Sequence, residues 1–426
     1  MQIKNYKSRI VDDKIEYYLK LFGAIIIEGP KYCGKTWAAR YHSNSEILLH
    51  KTTGDKSNNL ELAKISPSII LEGEKPRLID EWQEATNLWD EIRIDVDKTG
   101  LRGQYILTGS STPNREGIVH SGAGRFGKIH LRTMSLYESG DSIGNISLKD
   151  LCNNKLEEKV TGEVDLRELA KLIIRGGWPA NLEYSAKEAS KVIEEYINII
   201  IDDDLYRLDG VNRNKHKVRL LLKSLARNES TTVSNMTLKK DINDIDNEDI
   251  DIDTLSSYLN ALDKLFLLDN DEPFSSNIRS SVRVKQSEKR HFVDPSISCS
   301  LLNIREEDKL INDLKTFGFL FEAMVERDLK IYADSFNAKC YHYQDYKDNE
   351  IDSIIELENG EWCAFEIKLG TNQIEKAAND LLKLKNEIIK ENRKPPSILC
   401  VICGLTNAAY QRPDGVYVVP ITALKQ

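Results

Sequence analysis

The chain has 426 residues, 40% of them hydrophobic and 30% charged, and a net charge of −9. That length supports two or three domains with real cores, and the balance is that of a globular protein in water. The net acidity excludes a globally basic nucleic-acid binder, and the longest apolar runs, such as Ile197 to Ile201, are too short to cross a bilayer. The opening MQIKNYKSRIVDDK has no apolar core, so it is not a signal peptide and a cytoplasmic location is expected. Arg9-Ile10-Val11, then Ile15, Tyr18 and Leu19, keep a helical spacing that predicts a helical lead-in over 1–20.

Ala24-Ile25-Ile26-Ile27 reads as a buried strand. It runs into Gly29-Pro30-Lys31-Tyr32-Cys33-Gly34-Lys35-Thr36, and Trp37 to Arg40 begins a helix. The spacing G-x-x-x-x-G-K-[ST] between strand and helix is a phosphate-binding loop pattern. Its glycines let backbone N–H groups converge on an anion, and the helix adds its positive end. Lys35 is expected on the β- and γ-phosphates and Thr36 on Mg²⁺. Residues 45–75 read as turn-rich, with an apolar piece at Ser68 to Leu71.

Leu78-Ile79-Asp80-Glu81 is a short strand ending in two acids. An ATPase needs such acids beside its phosphate loop. Asp80 would hold the Mg²⁺ shell, and Glu81 would orient the attacking water. A third strand, Gly103 to Ser111, ends in hydroxyl residues, and Thr108 or Ser110 suits a polar sensor of the γ-phosphate, with a Gly-Ser turn as the plainer reading. In His120-Ser121-Gly122-Ala123-Gly124-Arg125 the arginine could sense the γ-phosphate, in its own subunit or a neighbouring one, or simply sit on the surface.

GAIIIEGPKYCGKT, PRLIDEWQ, ILTGSS, HSGAGRF and MSLYE together resemble a prokaryotic family of AAA-type P-loop ATPases. In that family the ATPase is fused to a C-terminal domain of unknown function that looks like a restriction-endonuclease fold. Further matches are IIRGGWPA, KRHFVDPSI, FGFLFEAMVERDL and the EIDSIIE–FEIKLG segment, so the resemblance spans nearly the whole chain. It implies an α/β architecture. A three-layer P-loop NTPase domain would cover 1–155, a helical and winged-helix middle 156–315, and a restriction-endonuclease-like α/β domain 316–426. The cofactors would be ATP and Mg²⁺. Nucleotide contacts would come from Gly29, Pro30, Lys31, Tyr32, Cys33, Gly34, Lys35, Thr36 and Trp37, with Thr108 and Ser110.

In the middle region Leu220–Ala226, Met236–Ile242 and Thr254–Leu268 read as three helices. Val282-Arg283-Val284 and His291-Phe292-Val293 read as β pieces, which with the helices suggests a winged-helix unit. The third helix follows the acidic run Asp241, Asp244, Asp246, Glu248, Asp249, Asp251, Asp253. Those charges would repel phosphates, which favours packing or an interface with a protein partner or second copy over groove reading. The basic run Arg279, Arg283, Lys285, Lys289, Arg290 is either a phosphate contact or a solvated strand face. A nucleic-acid partner would be DNA ahead of RNA.

The C-terminal stretch carries Asp352 and Glu366-Ile367-Lys368. Nucleases of the restriction-endonuclease type place a carboxylate on one strand and E-x-K on the next. The acids hold Mg²⁺ and the lysine activates water. Glu322, on a preceding helix, would complete the set, and Asp345 and Glu350 are nearby alternatives. A two-residue turn at Asn359-Gly360 would point Asp352 away from Glu366. Burying Ile351, Ile355 and Leu357 with Cys363, Phe365 and Ile367 instead demands a three-residue loop, 358–360, with Gly360 left-handed. That register faces Asp352 with Glu366 beside Lys368, whereas pairing 353 with 366 would defeat the site. A decayed or structural version of the fold, with Glu366 and Lys368 engaged in ordinary cross-strand salt bridging, is the plainer reading. Seven cysteines include one C-x-x-C, Cys400 and Cys403, in a strand-like segment, and buried thiols are expected.

Overall fold

The computed structural model describes residues 6–49, 52–53, 57–112, 121–244, 249–277, 280–345 and 349–426. The chain forms two compact units. The first holds residues 1–133, 205–211 and 261–267, and the second holds 134–204, 212–260 and 268–426.

Among the described residues of the first unit, five parallel strands form one sheet. They are β1 (Ala24–Glu28), β2 (Ser45–Leu48), β3 (Arg77–Asp80), β4 (Tyr105–Gly109) and β5 (Phe126–His130), in the order β2-β3-β4-β1-β5. Both faces of β1 are covered, which is why it reads as an unbroken apolar run. Ala24 and Ile26 pack with Trp89, Ile92 and Val96 of helix α3 (Leu88–Thr99). Ile25 and Ile27 pack with Ile15 of α1 (Val11–Leu21) and Ala38 and Ala39 of α2 (Lys35–Tyr41). The result is three layers.

One expectation changes here. Residues 45–75 are not merely turns: Ser45–Leu48 is an edge strand, and Asn59–Ile65 and Pro67–Ile70 are helices, the second started by proline at its first turn. The stretch after Arg125, which the sequence left unassigned, is a strand. Phe126-Gly127-Lys128-Ile129-His130 buries only alternate residues, so its signal is weak. His120 lies outside the described residues.

In the second unit, helices α4 (Leu166–Arg175), α5 (Ala186–Ile199), α6 (Lys215–Arg227), α7 (Asn235–Asn243) and α8 (Ile252–Lys264) follow the expected order, although the last turn of α8 groups with the first unit. Val282–Lys285 is a helical turn, not the expected strand, and Leu268 and Asp271 make single bridges to Phe292 and Lys289 in place of a ladder. The acids before α8 have local work. Asp251 accepts from Thr254 N (2.7 Å) and caps the helix, and Asp241 accepts from Ser224 (2.6 Å). Asp246 and Glu248 lie outside the described residues.

The C-terminal part is a mixed sheet. Its strands are β6 (Lys159–Val160), β7 (Lys339–Gln344), β8 (Glu350–Glu356), β9 (Trp362–Lys368), β10 (Ile398–Cys403), β11 (Ala408–Gln411) and β12 (Tyr417–Pro420), in the order β7-β8-β9-β10-β12-β11-β6. The first three form an antiparallel meander. Helix α10 (Ile374–Lys390) crosses over to the parallel strand β10 and packs Ala377, Leu381 and Leu384 on Ala364, Leu399 and Val401. Helix α9 (Leu314–Ser335) packs against β7, β8 and β9. Among the described residues no helix is long and apolar enough to cross a membrane.

The β8–β9 register is the one the apolar pattern demands. Ser353 pairs with Phe365 and Ile355 with Cys363; the paired ladder ends there, and the same register continued by one residue sets Asp352 opposite Glu366. Gly360 takes φ +73°, and Leu357 N donates to Glu361 O across the three-residue loop. The β7–β8 pairing shifts between Tyr341 and Tyr343, whose partners are Ile354 and Ile351. Asp352 and Ser353 therefore share one facing residue in a bulge. The bulge also moves Ile351 into the core with Ile354 and α10, off the face it was expected to share with Ile355 and Leu357.

Candidate functional site

In a parallel sheet every strand ends at the same edge. The ends of β1, β3 and β4 therefore bring the loop 29–36, Asp80-Glu81 and Thr108–Ser110 together. Gly29 has no room for a side chain, since a Cβ there would lie 2.1 Å from Leu131 O. Gly34 sits at φ +102°, which a side chain would disfavour, and its carbonyl accepts the first bond of α2 from Ala38 N (3.1 Å). Pro30 to Cys33 make the turn. Lys35 is buried, and its Nζ donates to Pro30 O at 2.7 Å, which keeps the ammonium over the loop. Cys33 is buried with its Sγ against Leu131 O, so only its backbone is available to a phosphate. Lys31, Tyr32 and Trp37 are exposed.

Asp80 Oδ1 accepts from two hydroxyls, Thr36 Oγ1 at 2.9 Å and Thr108 Oγ1 at 2.5 Å. Thr108 also accepts from Glu81 N at 3.1 Å. Glu81 is in the left-handed region, φ +57°, and this turns its side chain off the strand line. Its Oε2 accepts from Ser110 Oγ at 2.9 Å and from Gln83 Nε2. Both hydroxyl candidates thus have a place: Thr108 aligns the two acids, and Ser110 holds the second.

Arg125 is not brought to this edge. It precedes β5, where Phe126 pairs with Ala24, so it lies at the opposite end of the sheet from the phosphate loop. Five residues of strand separate the two by about 16 Å. Its guanidinium bonds Asp97 Oδ1 (2.9 Å) and Ala123 O (3.1 Å) on the surface. A γ-phosphate contact within its own subunit is ruled out by this topology.

Arg9 escaped the sequence reading. It is 6% exposed, and its guanidinium donates to Cys33 O in the phosphate loop (3.0 Å) and to Arg132 O and Thr133 O (3.1 and 3.2 Å). The lead-in thereby clamps the loop to the segment after β5. The only sequence signal was an arginine just before the helix that precedes the motif.

In the second unit the hairpin brings Asp352, Glu366 and Lys368 together. Lys368 Nζ lies 2.8 Å from Asp352 Oδ2 and 2.5 Å from Glu366 Oε2, and Asp352 Oδ2 also accepts from Ile367 N (2.7 Å). Burial works against the Asp352 charge, but Lys368 and Lys289 outweigh it and hold its pKa below the ordinary value. Burial, with Asp352 alongside, pushes Glu366 well up. Glu322 borders a cavity of about 480 Å³ with Lys368, Phe319, Leu314 and Asn372. Burial raises its pKa to about 7 despite an ion pair with Lys289. Asp345 is taken up by Asn349 (2.9 Å) and Glu350 is exposed, so neither joins. Among the described residues no three of His, Cys, Asp and Glu stand as a group able to hold a metal ion.

The basic run is not a free phosphate-facing strand. Lys289 is fully buried. Arg283 forms a two-pronged pair with Glu356 (2.9 and 3.2 Å). Arg290 donates to Asn235 Oδ1 (2.8 Å) and is mostly covered. Arg279 and the side chain of Lys285 lie outside the described residues.

Four of the segments singled out by their motifs meet in a buried polar hub instead. Arg327 bonds Asp294 Oδ2 (3.0 Å) and Asp328 Oδ1 (2.7 and 2.9 Å). Asp294 accepts from Gly177 N (2.9 Å), and Asp328 accepts from Leu136 N (2.8 Å). This ties together MSLYE, IIRGGWPA, KRHFVDPSI and FGFLFEAMVERDL. The cysteines are buried apart from the half-buried Cys340, and none is in a disulfide.

Residues 22–140 match the family described as AAA domain. Residues 166–308 and 317–424 match two domains of unknown function, DUF8612 and DUF4143. The uncharacterized proteins Mb2031c of Mycobacterium bovis and Rv2008c of Mycobacterium tuberculosis are each 24% identical over 349 residues, 81% of this chain and 70% of the relative. Among solved structures, the Walker-type ATPase PABY2304 of Pyrococcus abyssi is 14% identical with a TM-score of 0.41, over 68% of this chain and 94% of that one. The Thermotoga maritima RuvB Holliday junction branch migration motor is 17% identical with a TM-score of 0.27, over 61% and 88%.

Proposed function

We propose that this chain hydrolyses ATP and that its nucleotide cycle governs the state of the C-terminal domain. The observation that carries the first half is the shared Asp80 carboxylate, bonded to the phosphate-loop Thr36 and to Thr108. Thr36 and Asp80 offer hard oxygen donors suited to a Mg²⁺ ion that keeps most of its waters. Bound there, Mg²⁺ would neutralise phosphate charge. Lys35 binds the β- and γ-phosphates, and loop N–H groups cradle the anion. Glu81, steadied by Ser110 and Gln83, orients the water. The test is ATP-dependent phosphate release by the full chain, with Lys35→Ala as the control that cannot bind phosphate.

Two roles are open to the C-terminal domain: a metal-dependent nuclease using Asp352, Glu366, Lys368 and Glu322, or an interaction module moved by the nucleotide state. The second is favoured by the ammonium groups already seated among these acids. The acids in turn support a fixed internal geometry. Incubating DNA or RNA with the full chain, ATP and Mg²⁺ separates the two, since cleavage lost in Asp352→Ala would establish the nuclease. Arg125, on the surface of the first unit, is left for a neighbouring copy or for solvent.

A further inference from the structure

We propose that Lys289 is the resident cation of the C-terminal acid cluster. It takes the place of the divalent metal that the Asp352 and Glu366-x-Lys368 arrangement suggests, and the domain carries no metal ion of its own. This rests on reading that domain as a non-cleaving module.

Three observations carry it. First, the Lys289 ammonium has no exposure to solvent, is ion-paired with Glu322, and donates to Asp352 O at 3.1 Å. It therefore ties the helix-borne carboxylate to the main chain of the strand-borne acid, and its charge lies where a metal between the two would lie. The carbonyl it binds lies in the β8 bulge, where the ladder is interrupted.

Second, Lys289 cannot step aside. Its backbone exchanges two hydrogen bonds with Asp271 (2.9 and 3.0 Å), and the next side chain, Arg290, is anchored on Asn235. A metal that recruited Glu322 would leave a fully buried ammonium without its counter-ion, and would place two further positive charges beside it.

Third, the remaining acids are already served. Lys368 Nζ bonds both Asp352 and Glu366, and Asp352 takes a backbone N–H as well. Three carboxylates thus face two ammonium groups, which leaves one net negative charge to set against the two positive charges of a divalent ion. Lys289 comes from a segment outside the two strands and the helix that bear the acids, so no strand motif announces it.

The test is Mn²⁺ binding to the full chain without nucleotide, followed by the electron paramagnetic resonance signal of the free ion. Wild type and Asp352→Asn should take up Mn²⁺ equally weakly. Lys289→Met should gain one site, at least tenfold tighter than wild type, that Lys289→Met/Asp352→Asn loses. Wild type that binds one Mn²⁺ lost in Asp352→Asn would overturn the inference, as would a folded Lys289→Met that gains nothing. If Lys289→Met does not fold, the comparison of wild type with Asp352→Asn decides alone. An Asp352-dependent Mn²⁺ site in wild type without DNA cleavage would sink this inference and leave the interaction-module reading intact. Cleavage that depends on Asp352 would sink the interaction-module reading itself.

Discussion

Asp80 accepts a 2.9 Å hydrogen bond from Thr36, a residue 44 positions earlier that opens the helix after the phosphate loop. The strand-end acid and the loop hydroxyl are thereby preset in one position. Thr108 completes the arrangement by bonding Asp80 and the Glu81 amide. Thr108→Val keeps the shape and removes the hydroxyl. It should lower kcat for ATP about tenfold, the cost of roughly one buried hydrogen bond to a charged group, with KM little changed. Steady-state phosphate release at saturating ATP checks this.

Arg125→Ala should behave as a surface substitution. Its pair with Asp97 is half exposed, so the thermal midpoint should hardly change. Turnover by the isolated subunit should stay within about twofold of wild type, because the residue sits at the wrong end of a parallel strand to reach the nucleotide. A large drop that appears only at concentrations where copies associate would assign Arg125 to a neighbour's site.

Arg327→Met should be among the most damaging single changes in the second unit. It leaves Asp294 and Asp328 buried without their shared guanidinium at the point where four chain segments meet. The loss should be about 3–5 kcal/mol, read as a lower urea midpoint for that unit. ATP binding by the first unit, measured with a fluorescent nucleotide, gives an independent readout.

Stability should fall between pH 6.5 and 9. Burial alone would lower the His291 pKa, but hydrogen bonds to Asp271 and Glu229 overcome it and raise it to about 9. A raised histidine stabilises fully below its unfolded pKa, and the contribution is lost as pH climbs through the folded one. Glu326 acts with the same sign, since burial raises it to about 8 and its ionisation works against the folded state. Thermal melts across this range should show a declining midpoint, with a shallower slope in His291→Gln.

Much of this was legible in the chain. The phosphate loop is contiguous, so its chemistry is written in one octet. The β8–β9 register followed from which apolar residues must share a buried face, and it placed Asp352 opposite Glu366. What stayed hidden acts across long separations. Arg9 reaches Cys33 and Thr133, Lys289 reaches Glu322 and Asp352, and Arg327 joins segments up to 192 residues apart. A buried cation looks like a surface one until its partners are known, which is why Lys289, Arg283 and Arg290 read as a basic patch. Strand β5 was obscured because only Gly127 and Ile129 of its five residues are buried.

Hydrolysis organised by Glu81 at the edge of the first sheet is read directly from the fate of radiolabelled ATP on Glu81→Gln beside wild type. The variant should bind ATP as tightly as wild type but release phosphate about 100-fold or more slowly, as expected for a lost general base. Phosphate release by Glu81→Gln at the wild-type rate, or wild type that binds ATP and never hydrolyses it, would exclude that role for Glu81.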